Sequence, residues 1–152
     1  RISESPTYNQ SMRAKFPTTV HLFFFRGDKV LLLRRFNTGY RDGWYSVPAG
    51  HLDGGETVLA AAVREAREEV GVGIDPAALT FSSVMHRNEG DERIDFFVHV
   101  HAWEGEPVNA EPDKCDELRW APLDALPENL IPYVRRALEN HANGVRFDEF
   151  GW

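Results

Sequence analysis

The stretch from Gly50 to Val72 constrains this chain more than any other part of it. It reads Gly-His-Leu-Asp-Gly-Gly-Glu-Thr-Val-Leu-Ala-Ala-Ala-Val-Arg-Glu-Ala-Arg-Glu-Glu-Val-Gly-Val. A glycine-rich loop ends at Glu56, and good helix formers run from about Thr57 to Val70 before Gly71 stops the helix. Leu59, Ala62, Val63, Ala66 and Val70 recur at three- and four-residue spacing, which makes one apolar stripe. Glu65, Glu68 and Glu69 stand at i, i+3 and i+4, so three carboxylates gather beside that stripe. Such a cluster repels itself, and most of it lies far from the helix N-terminus, where negative charge would be favourable. A hard divalent cation removes the penalty, because Mg²⁺ binds carboxylate oxygens and substrate phosphates together. For three glutamates alone, a solvated acidic face partnered by Arg64 and Arg67 is the competing reading.

The whole stretch decides between them. It resembles the signature of the Nudix hydrolases, Gly-x5-Glu-x7-Arg-Glu-U-x-Glu-Glu-x-Gly-U, where U is a bulky aliphatic residue. Gly50, Glu56, Arg64, Glu65, Glu68, Glu69, Gly71 and Val72 all fall in register. Ala66 departs from the pattern, which expects Ile, Leu or Val at a position facing the core. Eight fixed positions over 23 residues are far more specific than a lone glycine motif.

The resemblance implies a chemistry. Breaking a phosphoanhydride requires charge neutralised on non-bridging oxygens, a positioned water and a polarised leaving group. Family members use Mg²⁺, with Mn²⁺ as a substitute, held by the Arg-Glu-x-x-Glu-Glu segment and by a backbone carbonyl before it. Here those ligands are Glu65, Glu68, Glu69 and the carbonyl of Ala49. Glu65 or Glu68 takes the proton from the attacking water, and the two remain alternatives because ligation and base duty compete for the same oxygens. Arg64 orients the carboxylates, while Gly50, Glu56 and Gly71 shape the loop and helix end. Glu111, in the acidic loop after Pro107, fits a position that supplies a further ligand or base in MutT-type members. A solvent-exposed loop glutamate is the equal alternative.

Composition agrees with one α/β enzyme domain. At 152 residues and 42% hydrophobic, the chain can bury a substantial core. A net charge of −7 and a pI near 5.3 argue against duplex nucleic acid or an anionic membrane as main partner. The single cysteine, Cys115, excludes an internal disulfide framework and suits a reducing cytoplasm. No apolar run approaches the roughly 18 residues of a membrane span, and no secretory leader is visible. The chain begins at Arg1, which leaves its natural start open, as it leaves the choice of monomer or homodimer.

In chain order, residues 1 to about 15 are polar and unpatterned, a loose arm. Strands are predicted over Thr18–Phe25, Lys29–Arg34, Trp44–Val47, Leu79–His86, Arg93–Trp103 and Leu118–Ala121. Pro48-Ala49-Gly50 closes the third of these. A second helix starts at Pro132 and ends near Asn140. The aromatic tail, Val145 to Trp152, folds back onto the body. Strands flanking a central helix imply an α/β sandwich with a mixed sheet. The resemblance implies the αβα Nudix sandwich, with residues 1–152 as a single domain and its core at about 17–140.

The substrate is less constrained. Arg34, Arg35 and Arg41 are the nearest basic candidates for phosphates, and Phe36, Tyr40 and Tyr133 for stacking on a base. Each has an ordinary surface or packing role as its alternative. Trp44 and Trp120 are read as core, and His51 as a turn residue. Isopentenyl diphosphate isomerases share the fold, but their cysteine precedes the glutamate box, where this chain has none. The Ser-Gln-Pro-Trp-Pro-Phe-type array of NADH-cleaving members is absent. Arg87 and Asn88 occupy the region where ADP-ribose and diadenosine polyphosphate classes carry Pro or Tyr. By elimination the expected activity is MutT-like, a (d)NTP converted to NMP and pyrophosphate. A non-catalytic nucleotide sensor and a hydrolase of non-nucleotide diphosphates are the alternatives.

Overall fold

The computed structural model describes residues 13–152, so the reading of the first twelve residues lies outside the described part. The elements in order are β1 (Thr18–Arg26), β2 (Lys29–Arg35), β3 (Tyr45–Ser46), β4 (Ala49–His51) and α1 (Val58–Val70). A 3-10 turn at Pro76–Ala78 leads to β5 (Leu79–Asn88), β6 (Glu92–Val100), β7 (Cys115–Pro122), α2 (Pro132–Asn143) and β8 (Phe147–Phe150). Together they form a mixed eight-stranded sheet with one helix on each face, the expected αβα sandwich.

β1 is the axis. Val20, Leu22 and Phe24 point to the α1 side, where they pack with Ala61, Ala62, Ala66 and Val70. His21 and Phe23 point to the other face, where Phe23 packs with Val134, Ala137 and Leu138 of α2. A strand covered on both sides reads as a nearly unbroken apolar run, as Thr18–Phe25 does. β1 runs parallel to β6 from Thr18 opposite Ile94 to Phe24 opposite Val100. Its other edge is shared. β4 takes Thr19–His21 and β2 takes only Phe25 and Arg26, so β1 and β2 splay apart away from their turn.

Several boundaries differ from the sequence reading for physical reasons. Pro48-Ala49-Gly50 does not end the extended segment, because Ala49–His51 pairs with β1 as β4. β6 stops at Val100 rather than Trp103, and β7 begins at Cys115 because all of β2 is available to pair with it. α2 continues to Asn143, where Gly144 adopts φ +68° and its N–H bonds back to Asn140 and His141. Leu59 is 39% exposed, and Ala61 is buried with Ala62, Ala66 and Val70 instead. The tail does fold back: β8 pairs in parallel with β5, and Trp152 donates to the His86 carbonyl at 2.9 Å.

His21 is 1% exposed. Its Nε2 lies 2.9 Å from the Tyr133 hydroxyl and its Nδ1 3.2 Å from the Phe96 carbonyl. Burial, only partly offset by Asp95, lowers its pKa from 6.5 to about 4. The unfolded chain therefore binds a proton below 6.5 that the folded chain refuses until about 4. Stability should be constant in this respect above pH 7 and fall as pH drops through that window, by up to about 3 kcal/mol. Urea denaturation at pH 7, 5.5 and 4.5 checks this. A His21→Gln variant should show a flatter profile, and an unchanged slope would exclude His21 as the titrating group.

Candidate active site

Where β1 and β2 part, a pocket of about 760 Å³ opens, lined by the start of β1, the end of β2, β4 and the outer face of α1. Its acidic wall comes from α1. Thr57 caps that helix by accepting from the Ala60 N–H at 3.1 Å, which aligns the first turn. Gly71 ends it at φ +70°, a left-handed conformation that side chains other than glycine resist, with backbone bonds returning to Ala66 and Arg67.

Arg64 holds the wall together. Its Nε and Nη2 donate to the two Glu56 oxygens at 3.1 and 2.6 Å, and Nη2 also to the His51 carbonyl at 3.1 Å. Nη1 donates to Glu65 at 2.7 Å and to Glu68 at 3.3 Å. These bonds, that to Glu56 foremost, hold the Arg64 guanidinium above its ordinary pKa and Glu56 below its own. Glu65 is only 8% exposed, and a Cβ on Gly50 would overlap its carboxylate. Gly50 is thus demanded by close approach rather than by backbone angle. Glu69 accepts from the Ala49 N–H at 3.0 Å, tying β4 to the helix.

Burial pushes Glu65 above the usual carboxylate range despite Arg64. It raises Glu69 to about 8, with repulsion from Glu65 and Glu111 adding to the effect and the Ala49 N–H opposing it. Glu111 reaches the same pocket from the loop before β7. Four carboxylates therefore share one space, and Arg64 bonds only two of them. This surplus of hard oxygen donors fits Mg²⁺ or Mn²⁺. Among the described residues no three acidic, histidine or cysteine side chains converge as a finished cage, so a cation there would need further oxygens, such as those of a substrate.

The basic and aromatic candidates divide. Arg35 lines the pocket, held by the Tyr40 carbonyl at 2.7 Å and Thr38 Oγ1 at 3.1 Å. Tyr40, 43% exposed, and Tyr133 also line it, but Tyr133 is 6% exposed with the Arg87 guanidinium 3.7 Å from its ring centre. Arg34 points elsewhere, bonded to Asp116 at 2.7 Å and paired with Glu117 at 3.3 Å. Arg41 lies over Trp44, and neither it nor Phe36 is in the pocket lining. His51 lines the pocket beside Arg93, whose Nη1 is 3.2 Å from its Nε2. Cys115 borders the pocket, 6% exposed, and burial raises its thiol pKa, which disfavours a thiolate.

Sequence reasoning missed Thr19, His21 and the Arg87–Asp95 pair. Asp95 alternates with Phe96 and Val98 along β6, yet it is 0% exposed and Arg87 5%. A signal was available. Arg87 sits opposite Arg93 in the β5–β6 ladder, so Asp95 is its diagonal neighbour of opposite charge.

Gly50→Ala should displace the Glu65 carboxylate while leaving helix content intact. A shift of about 1 Å in a reacting group costs on the order of 100-fold in turnover. Circular dichroism and divalent-dependent turnover measured together check this, and a fully active Gly50→Ala variant would refute the packing argument.

Comparison with known proteins places this geometry. The family described as the NUDIX domain matches residues 15–141. The NAD-capped RNA hydrolase NudC of Pseudomonas aeruginosa is 32% identical over 93% of this chain and 48% of its own length. The human 8-oxo-dGDP phosphatase NUDT18 is 38% identical over 72% of this chain and 33% of its own. The chain thus spans about half, or less, of the length of these relatives. The crystal structure of a MutT NUDIX hydrolase from Burkholderia pseudomallei is 29% identical, with a TM-score of 0.77 over 84% of this chain and 98% of that one. With its glutamate box, its αβα sandwich and this match, the chain belongs to the Nudix hydrolase family.

Proposed function

We propose that the chain is a divalent-metal-dependent pyrophosphohydrolase of nucleoside diphosphate derivatives, with a (d)NTP cleaved to NMP and pyrophosphate as its favoured reaction. The observation that carries this is one pocket lined both by an acidic wall (Glu65, Glu68, Glu69 and Glu111) and by cations, Arg35 and Lys114 among them. The wall suits a cation and the basic groups suit phosphates. The carbonyl of Ala49 with Glu65 and Glu69 would hold Mg²⁺, and Glu111 adds a further ligand. When bound, the ion neutralises phosphate oxygens and lowers the pKa of a water.

The chain's own residues divide the remaining work. Arg64 fixes Glu65 and Glu56, and the Ala49 N–H fixes Glu69. Glu68, half exposed and with its Arg64 contact at a long 3.3 Å, keeps an oxygen free to accept a proton from water. We therefore assign it the general-base role and Glu65 the ligand role. A second reading, cleavage of an NAD-type dinucleotide, is favoured by the likeness to NudC over 93% of this chain. The missing Ser-Gln-Pro-Trp-Pro-Phe-type array counts against it.

A panel of (d)NTPs, 8-oxo-dGDP, NADH, ADP-ribose and prenyl diphosphate, assayed with Mg²⁺ for NMP, phosphate and pyrophosphate, tests this. Turnover of (d)NTPs with pyrophosphate release, abolished by EDTA and restored by Mg²⁺ or Mn²⁺, is expected. Turnover of no substrate would leave the fold as a binding module. Glu68→Gln should retain the parent's melting temperature without metal, since it removes like charges worth a few tenths of a kcal/mol. Its activity should fall on the order of 100-fold or more. Full activity in that variant would remove Glu68 from the chemistry. Tyr40→Ala should change the ratio of kcat/KM between two substrates while leaving the metal requirement intact.

A further inference from the structure

We infer that Thr19 and Arg87 form a subsite reading an uncharged, oxygen-bearing edge of the substrate's base, and that Thr19 is a specificity-determining residue. The identity of the ligand rests on the nucleotide reading above; the existence of the subsite does not.

Thr19 is 7% exposed and lines the pocket, yet its Oγ1 has no hydrogen-bond partner. Buried hydroxyls are nearly always bonded, so an orphan on a residue that lines a cavity marks a group a water or ligand can satisfy. Ser83 Oγ is the other such group among the described residues, and it does not face the pocket. Asp95 lies opposite Thr19 in the β1–β6 pairing and holds the Arg87 guanidinium through Nε at 2.6 Å and Nη2 at 3.3 Å. Nη1 has Glu89 at 3.8 Å, too far for a hydrogen bond, and Arg87 also lines the pocket.

The neighbouring groups are already committed. The Phe96 carbonyl can only accept, so His21 donates to it from Nδ1 and accepts the Tyr133 hydroxyl proton at Nε2. That leaves Thr19 and Arg87 as the donors on this floor. Asp95 balances the charge of Arg87 and Arg93 balances Asp91, which leaves Glu89 in excess in this part of the lining, so a phosphate here would meet more repulsion than attraction. Arg35 differs, since its partners are the uncharged Tyr40 carbonyl and Thr38 hydroxyl. Phosphates belong at Arg35, and a neutral acceptor belongs at Arg87 and Thr19. Arginine only donates, so a keto oxygen is satisfied there and an amino group is not.

Calorimetric titration of the full chain in Mg²⁺ with GMP, UMP, AMP, CMP and inorganic pyrophosphate tests this. GMP and UMP should bind more tightly than AMP and CMP. Thr19→Val keeps the shape and β-branching and should weaken GMP and UMP about three- to tenfold, the worth of one hydrogen bond, without changing pyrophosphate. Thr19→Ser should bind as the parent does. Unchanged nucleotide affinity in Thr19→Val would mean that the hydroxyl holds structural water only. A loss shared by pyrophosphate would make this a phosphate site, and equal binding of amino- and keto-bearing nucleotides would remove the keto assignment. Thr19-dependent binding without hydrolysis of any nucleotide derivative defeats the hydrolase reading and keeps the subsite. Hydrolysis without Thr19 dependence defeats the subsite alone.

Discussion

The site depends on one guanidinium. Arg64 reaches Glu56 in the loop, Glu65 and Glu68 on the helix, and the His51 carbonyl on β4, so a single side chain joins three pieces of backbone. Its planar fork makes this possible, since a lysine offers no such geometry. Bonds of this kind between charged partners are roughly twice as strong as neutral ones. Arg64 nevertheless falls short of neutralising the wall, and that shortfall matters. Arg64 pairs with Glu65 and Glu68, and Lys114 stands 4.0 Å from Glu111, but Glu69 has no ion-pair partner among the described residues. This leaves the wall short of positive charge, while a wall fully paired within itself would have no reason to take a metal.

The second half of the pocket follows the opposite rule. Arg87 and Asp95 are buried together and nearly cancel. Such a pair is weak evidence for stability, because desolvation consumes much of the Coulomb attraction. Its value lies in rigidity: the guanidinium is held by Asp95 and lies over Tyr133, which is in turn bonded to His21. The pocket thus has one end short of positive charge and one whose charges are already balanced.

How much was legible in the sequence follows from where the information sits. The box was readable because Gly50, Glu65 and Arg64 lie within one loop and one helix, so spacing alone brings them together. The sandwich was readable because β1 carries apolar residues on both faces, and the tail's aromatic content announced that it folds back, though not that it forms β8. The floor of the pocket was not, since Thr19, Arg87 and Asp95 meet only through strand register. Arg34 and Arg35 show the same limit. They are adjacent in sequence, yet strand alternation sends one to Asp116 and Glu117 and the other into the pocket. Leu59 misled because spacing gives the face a residue shares but not whether another element covers that stretch of the face.

The parallel pairing of β8 with β5 has a consequence for synthesis. β5 can form its hairpin with β6 as soon as both exist, but residues 147–150 must emerge before its outer edge is covered. Until then the Val84–Arg87 edge displays unpaired N–H and C=O groups to any neighbouring chain. Nascent molecules on one message are therefore exposed to edge-to-edge association for the time taken to translate some fifty residues, about 3–10 s at roughly 5–20 residues per second.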